Sequence, residues 1–172
     1  MGTSFFALAE STRGTHAGGG YGGQVRLRPA EPSDVEALVD IHVSSSREAM
    51  PWLPQLHTRE QTVWWMRHHV LVRLRVWVAE EEGQVVGYAA LGPGELEQLY
   101  VRPGYQGRGV GRRLLAQAKA LEPQGLELWV FQRNTRARTF YEAHGFQPVS
   151  FTDGSRNEER EPDARYAWKP AP

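Results

Sequence analysis

Two periods of apolar residues alternate along the chain. Val25-Arg26-Leu27-Arg28 alternates with period two and predicts a strand. Ser33 with Glu36 three residues later forms a capping-box pattern. Val35, Leu38, Val39 and His42 or Val43 follow at helical spacing, so a helix is expected there. Pro51 and Pro54 break the chain. Thr58 with Gln61 is a second capping-box pair, predicting a helix to about Val70 with Val63, Trp64 and Met66 on it. Arg75–Glu80 and Gln84–Leu91 read as a hairpin turning near Glu82-Gly83, and Glu95–Val101 as a further strand. A helix is expected from about Gly109 to Leu121, with Val110, Leu114, Leu115, Ala118 and Leu121 inward. Leu126–Phe131 predicts a strand. Asn134 caps a helix through His144 that Gly145 ends. Phe146–Phe151 and Ala164–Trp168 close the series as a strand pair around a polar loop. The order, β-α-α-β-β-β-α-β-α-β-β without repeats, predicts an α/β (α+β) domain built on a mixed sheet.

Residues 1–24 depart from this pattern. Gly18, Gly19, Gly20, Gly22 and Gly23 form a tract that cannot repay its ordering entropy. A disordered leader is expected over 1–24 and a single domain over 25–172. The apolar run Phe5–Ala9 has no basic residues before it, as a secretory signal would, so a cytoplasmic protein is expected. No apolar run approaches the roughly 20 residues of a membrane-spanning helix. The absence of cysteine excludes disulfides, thiolate metal sites and a cysteine nucleophile. Twenty basic and 20 acidic residues cancel, so no bulk attraction to nucleic acid or a membrane surface is expected. His68 and His69 are adjacent and so diverge on a helix, and no HExxH spacing occurs; no metal site is expected.

The segment richest in chemistry is Tyr100-Val101-Arg102-Pro103-Gly104-Tyr105-Gln106-Gly107-Arg108-Gly109-Val110-Gly111-Arg112-Arg113. A strand enters a glycine-rich turn that opens an amphipathic helix. Glycines let a ligand approach the backbone, and the free N–H groups of a helix start favour phosphate. With Arg108, Arg112 and Arg113 nearby, a pyrophosphate-bearing ligand is the physical reading. No Gly-Lys pair exists, so the nucleotide P-loop fails. The dinucleotide fingerprint fails as well, because it would need glycine or alanine where Arg112 stands.

Gln106-x-x-Gly109-x-Gly111 resembles the acyl-CoA pyrophosphate signature, (Arg or Gln)-x-x-Gly-x-(Gly or Ala), of the GNAT superfamily of N-acetyltransferases. Leu99-Tyr100-Val101-Arg102-Pro103 is similar to that family's fourth strand. Farther on, Asn134-x-x-Ala137-x-x-Phe140-Tyr141-x-x-x-Gly145-Phe146 resembles its second motif. With the element order, the resemblance covers roughly residues 25–169. It implies a mostly antiparallel central sheet flanked by about four helices, with the fourth and fifth strands splayed apart. It implies acetyl-CoA as acyl donor: the pantetheine arm against backbone near Leu99, Tyr100 and Val101, and the pyrophosphate on Gln106, Gly107, Arg108, Gly109, Val110, Gly111 and Arg112. Asn134 is expected to be both a helix cap and a cofactor contact.

Acyl transfer to an amine sets three requirements. An alkylamine with a pKa near ~10 is almost wholly protonated at neutral pH, so a base is needed. The oxyanion needs an N–H donor, and the departing thiolate benefits from an acid. Glu95 and Glu97 are the base candidates, acting directly or through water; two apart on a strand, they share a face if the pleat is unbroken. The resemblance assigns Tyr141 as the acid. Met50, Trp52, Leu53, His57, Trp64, Trp65, His68 and His69 lie where the family shapes its acceptor pocket, and the tryptophans suit an apolar or cationic amine. The expected reaction is direct transfer, in a ternary complex, to a small-molecule or peptide amine. The alternative is a non-catalytic acyl-CoA-binding sensor or interaction module on the same fold. Exposed strand pairs near the C-terminus suggest a homodimer.

Overall fold

A computed structural model describes residues 24–171. All but the last residue of the expected leader lies outside the described residues. The chain enters through β1 (Arg26–Pro29), a 3-10 turn (Pro32–Asp34) and helix α1 (Val35–Ala49). A second helical rod follows in three pieces: α2 (Arg59–Trp65), a π-helical turn (Met66–Val70) and a last turn, α3 (Leu71–Arg73). Then come β2 (Arg75–Glu81), β3 (Gln84–Gly92), β4 (Glu95–Val101), α4 (Val110–Leu121), β5 (Leu126–Phe131), α5 (Thr135–Ala143), β6 (Gln147–Phe151) and β7 (Asp163–Trp168).

The strands form a seven-stranded sheet in the order β1-β2-β3-β4-β5-β7-β6. Five of its six pairings are antiparallel; β4–β5 is parallel. Helices cover both faces. On one, Val110, Leu114, Leu115 and Ala118 of α4 and Ala137, Phe140 and Tyr141 of α5 pack on Leu96, Leu99, Val101, Leu128 and Val130. On the other, Val35, Leu38, Val39 and Ile41 of α1 and Met66 and Val70 of the π turn pack on Val76, Val78, Tyr88, Ala90 and Tyr100. Alternation within β4, Leu99 to one side and Tyr100 to the other, ties the two cores to one strand.

Two local expectations need correction. The first helix was expected to be capped by Ser33 with Glu36. The reciprocal box is instead Glu31 with Asp34, around the 3-10 turn, and Asp34 Oδ2 accepts from Glu31 N at 2.7 Å. Pro32 explains the shift: its fixed φ starts the turn one residue after Glu31. The second helix was expected to run to about Val70. The Leu71 N–H bonds back to Met66 O, so one turn is π-helical and the rod extends to Arg73. The Thr58–Gln61 box forms as expected.

Asp34 also joins β1 to α1. Arg28 grips it with two N–H groups at 2.8 and 2.9 Å and reaches Glu80 of β2 at 2.9 Å. The Arg28 hydrogen bond, aided by the Glu31 N–H, holds the Asp34 carboxyl below its usual pKa. A depressed folded-state pKa stabilises the protein above the unfolded value, and that stability is lost as pH falls through the folded value. Asp34→Asn should therefore destabilise the protein at pH 7 by about 1.5–3 kcal/mol. The gap to wild type should close in acid, below about pH 4. Urea unfolding at several pH values measures both; a gap independent of pH would contradict the assignment.

Candidate active site

Strand β4 organises the site. Its register with β3 runs Tyr88↔Tyr100, Ala89↔Leu99 and Ala90↔Gln98, then slips to Leu91↔Leu96. Glu97 is therefore the extra residue of a β-bulge, which re-aims side chains along the strand. The pleat shared by Glu95 and Glu97 is thus broken. The Glu97 carboxylate lies over Gly92, where an added Cβ would stand 2.7 Å from Oε1. Glu95 sits opposite Glu127, at the one bridge that joins β4 to β5. Burial, then the negative charges of Glu97 and Glu127, raise the Glu95 pKa above the usual glutamate value.

Beyond that bridge the parallel strands share no other pairing among the described residues, although both run on, to Val101 and Phe131. Leu99, Tyr100 and Val101 occupy this splayed portion and are buried. The turn after β4 holds Gly104, Gly107 and Gly109 at φ 87°, 74° and 81°. Gly109 is the N-cap of α4, and no side-chain hydrogen bond caps that end. Helix-start N–H groups beside exposed Arg108 and Arg112 make a cradle for an anion. Gln106 does more than border it: its amide donates to Val101 O at 3.3 Å and ties the turn to the end of β4. Ser45 Oγ of α1 donates to the same carbonyl at 2.8 Å.

The second motif packs against this wedge from the β5 side. Asn134 is buried and accepts from Ala137 N at 3.1 Å, capping α5. Tyr141 is fully buried, edge-on to Phe140 and Phe146, in the same core as Leu99 and Val101.

On the opposite face of β4 lies a cavity of about 560 Å³, within the range of small-molecule sites. Gln98 and Tyr100 line it from β4, and His42 from α1. The α1–α2 connection contributes Met50, Leu53 and His57; the second helical rod contributes Trp64, Trp65, His68 and His69. The expected aromatic wall is present except for Trp52, which lies against the Arg133 guanidinium, 4.8 Å from ring centroid to Cζ. Adjacent His68 and His69 both reach the cavity, each stacked on the tryptophan four residues before it, Trp64 and Trp65.

Sequence reasoning missed several residues of this lining, among them His42, Gln98, Glu158 and Glu159. The two glutamates arrive on the β6–β7 loop, and His57 Nε2 meets Glu158 Oε1 at 3.1 Å across from the α1–α2 connection. Burial, reinforced by Glu158, pushes the Glu159 carboxyl up to about 7. Burial drives His42 the other way, to about 4, so its imidazole is neutral at pH 7. Neither Glu95 nor Glu97 is among the lining residues.

The splayed gap beside β4, the glycine-rich start of α4 and the cavity of about 560 Å³ thus lie on one strand. Residues 73–148 match the family model described as the acetyltransferase (GNAT) domain. An uncharacterized N-acetyltransferase of Archaeoglobus fulgidus is 32% identical over 76% of this chain and 99% of its own. The peptidyl-lysine N-acetyltransferase YiaC of Escherichia coli is 29% identical over 72% of this chain and 84% of its own. Among solved structures, the PaiA N-acetyltransferase of Thermoplasma acidophilum, in complex with coenzyme A, superposes with a TM-score of 0.67. It is 21% identical over 86% of this chain and 99% of that one. The chain belongs to the GNAT superfamily of N-acetyltransferases. Among the described residues, no helix is long and apolar enough to cross a membrane.

The cradle can be tested with a strain-matched pair. Gly104 and Gly109 both have left-handed backbones. A Cβ on Gly104 meets nothing within 4 Å, whereas one on Gly109 stands 3.7 Å from Arg112 Nη2, on the side where guanidinium and phosphate would meet. Either glycine to valine should cost roughly 1–2 kcal/mol of stability through backbone strain. Calorimetry should show CoA affinity falling about tenfold or more for Gly109→Val alone. Equal affinities for the two variants would contradict the cradle.

Proposed function

We propose that the protein transfers the acetyl group of acetyl-CoA to a primary amine by direct attack in a ternary complex. The observation that carries this reading is the position of β4, with the splayed wedge on its β5 side and the cavity against its Gln98–Tyr100 face. A donor in the wedge and an amine in the cavity would meet at this strand. The CoA complex of the PaiA neighbour supports the donor, and the peptidyl-lysine specificity named for YiaC supports an amine acceptor.

The residues fit such a donor. The start of α4, where Gly109 offers no side-chain cap, receives the pyrophosphate, with Gly107 and Gly109 allowing close approach to the backbone and Arg108 and Arg112 supplying charge. The edge of β4 at Leu99 and Val101 receives the pantetheine amides as a neighbouring strand would.

Transfer requires the amine to lose a proton, its nitrogen to bond to the thioester carbonyl carbon, and the C–S bond to break as the thiolate takes a proton. Glu95 or Glu97 accepts the amine proton. Because neither lines the cavity, a water relay suits them better than direct contact. The raised pKa of Glu95 strengthens it as a base. Tyr141 donates its phenol proton to the departing thiolate.

Incubation with acetyl-CoA and a panel of amines, read by thiol release and product mass, tests the activity; no acetylated product would favour a CoA-binding module instead. Tyr141→Phe isolates the acid. Packing and CoA affinity should be kept, while kcat falls by up to about 10²–10⁴-fold. A fall in kcat without a matching change in cofactor affinity marks a transition-state role. An unchanged single-turnover rate would return Tyr141 to a packing role.

A further inference from the structure

Two polar atoms of the residues lining the acceptor cavity are buried with no hydrogen-bond partner among the described residues: Gln98 Nε2 and Glu159 Oε2. They come from different elements, β4 and the β6–β7 loop, and their chemistry is opposite. One is an N–H donor and the other an oxygen of a carboxyl group, which an ammonium placed beside it would hold ionised. Each unmatched group carries a desolvation cost that a ligand satisfying it recovers.

Both are held in place. Gln98 is 1% exposed. Its Oε1 accepts from the Tyr88 hydroxyl at 2.7 Å, and that hydroxyl lies 3.2 Å from His42 Nδ1. A neutral His42 donating from Nδ1 makes the chain run His42 to Tyr88 to Gln98. This polarity leaves the Gln98 amino group, not its carbonyl, for a ligand. On the loop, the Asn157 side chain donates to Glu161 O at 2.7 Å and Asp163 Oδ2 at 3.0 Å and accepts from Glu161 N at 3.1 Å. That clamp fixes the backbone two residues before Glu159.

Resting on the amine-acceptor reading above, we propose that this cavity selects a primary amine carrying an uncharged, hydrogen-bond-accepting oxygen close to the nitrogen, as an α-amino amide does. The ammonium lies against Glu159, the oxygen takes the Gln98 N–H, and the apolar body lies along Trp65 and His69. An uncharged oxygen is specified because the Gln98 amide is neutral, 1% exposed and bonded to the buried Tyr88. A carboxylate placed there would lose its hydration without a counter-charge. The arginines of the lining, Arg47 and Arg73, are solvent-exposed. Glu158 is engaged with His57, which leaves Glu159 as the carboxylate for the ammonium.

Calorimetry on the full chain saturated with CoA tests this without turnover. The probes are L-phenylalaninamide, phenethylamine (no carbonyl), 3-phenylpropanamide (no amine) and L-phenylalanine (a carboxylate). L-Phenylalaninamide should bind about tenfold or more tighter than each of the others. Glu159→Gln, a change on a loop, should abolish its advantage over 3-phenylpropanamide and keep its advantage over phenethylamine. Equal binding of the four, no binding of L-phenylalaninamide, or an unchanged pattern in Glu159→Gln would each overturn the proposal. If the pattern holds but no amine is acetylated, the transfer reaction fails and this selectivity stands. If amines are acetylated with no preference for the carbonyl, the reverse is true.

Discussion

A backbone that leaves a sheet ladder must find other partners for its N–H and C=O groups, and β4 and β5 are joined at one bridge only. Everything else at the site answers to that constraint. The antiparallel pairing with β3 holds β4 firmly on one side, so the other side stays presentable. The carbonyl of Val101, at the far end, is taken by Ser45 and Gln106, which fixes the point where the chain turns into the glycine-rich loop. The core across the gap is continued by side chains: Tyr141, Leu128 and Val130 pack with Leu99 and Val101. The sheet is thus held together by packing where its hydrogen bonds stop.

The two faces of β4 divide the chemistry. Leu99 and Val101 belong to the α4 core, whereas Gln98 and Tyr100 look into the cavity. The bulge at Glu97 separates these residues from Glu95, which remains at the closed end of the wedge beside Glu127. Like charges crowd at that closed end. The cavity instead gathers aromatic rings, a neutral histidine and two loop glutamates.

The parts legible in the sequence were those governed by short-range rules. Glu95–Val101 and Leu126–Phe131 form as strands with the expected ends, because a period of two or a continuous apolar run bounded by turns leaves little choice. The glycine turn and the Asn134 cap were legible for the same reason: left-handed backbone and helix starts restrict residue type locally. Three features were not. The cap at Glu31 competed with an equally good pattern at Ser33, and only Pro32 decided between them. A bulge at Glu97 is set by register against β3, which no single strand encodes. Glu159 reaches the cavity from more than 50 residues beyond β4, through a loop whose course depends on Asn157 meeting Asp163. Polarity alone marked that loop as surface.

The π turn at Met66–Val70 bears on how this wall can change over time. A π turn holds one residue more than the α-helix it interrupts. Loss of a single residue there would restore regular winding; because the π turn covers nearly the rotation of an α turn with one residue more, Trp64 and Trp65 would keep their facing while the turn carrying His68 and His69 would be rebuilt. Leu74 is anchored through its N–H to Val70 O, and the sheet would not move. One-residue insertions and deletions, usually ruinous inside a helix, become at this position a means of reshaping the cavity wall without turning the rest of the rod. Chains of this fold could therefore differ in the shape of this cavity through changes of length while β4 and β5 stay aligned.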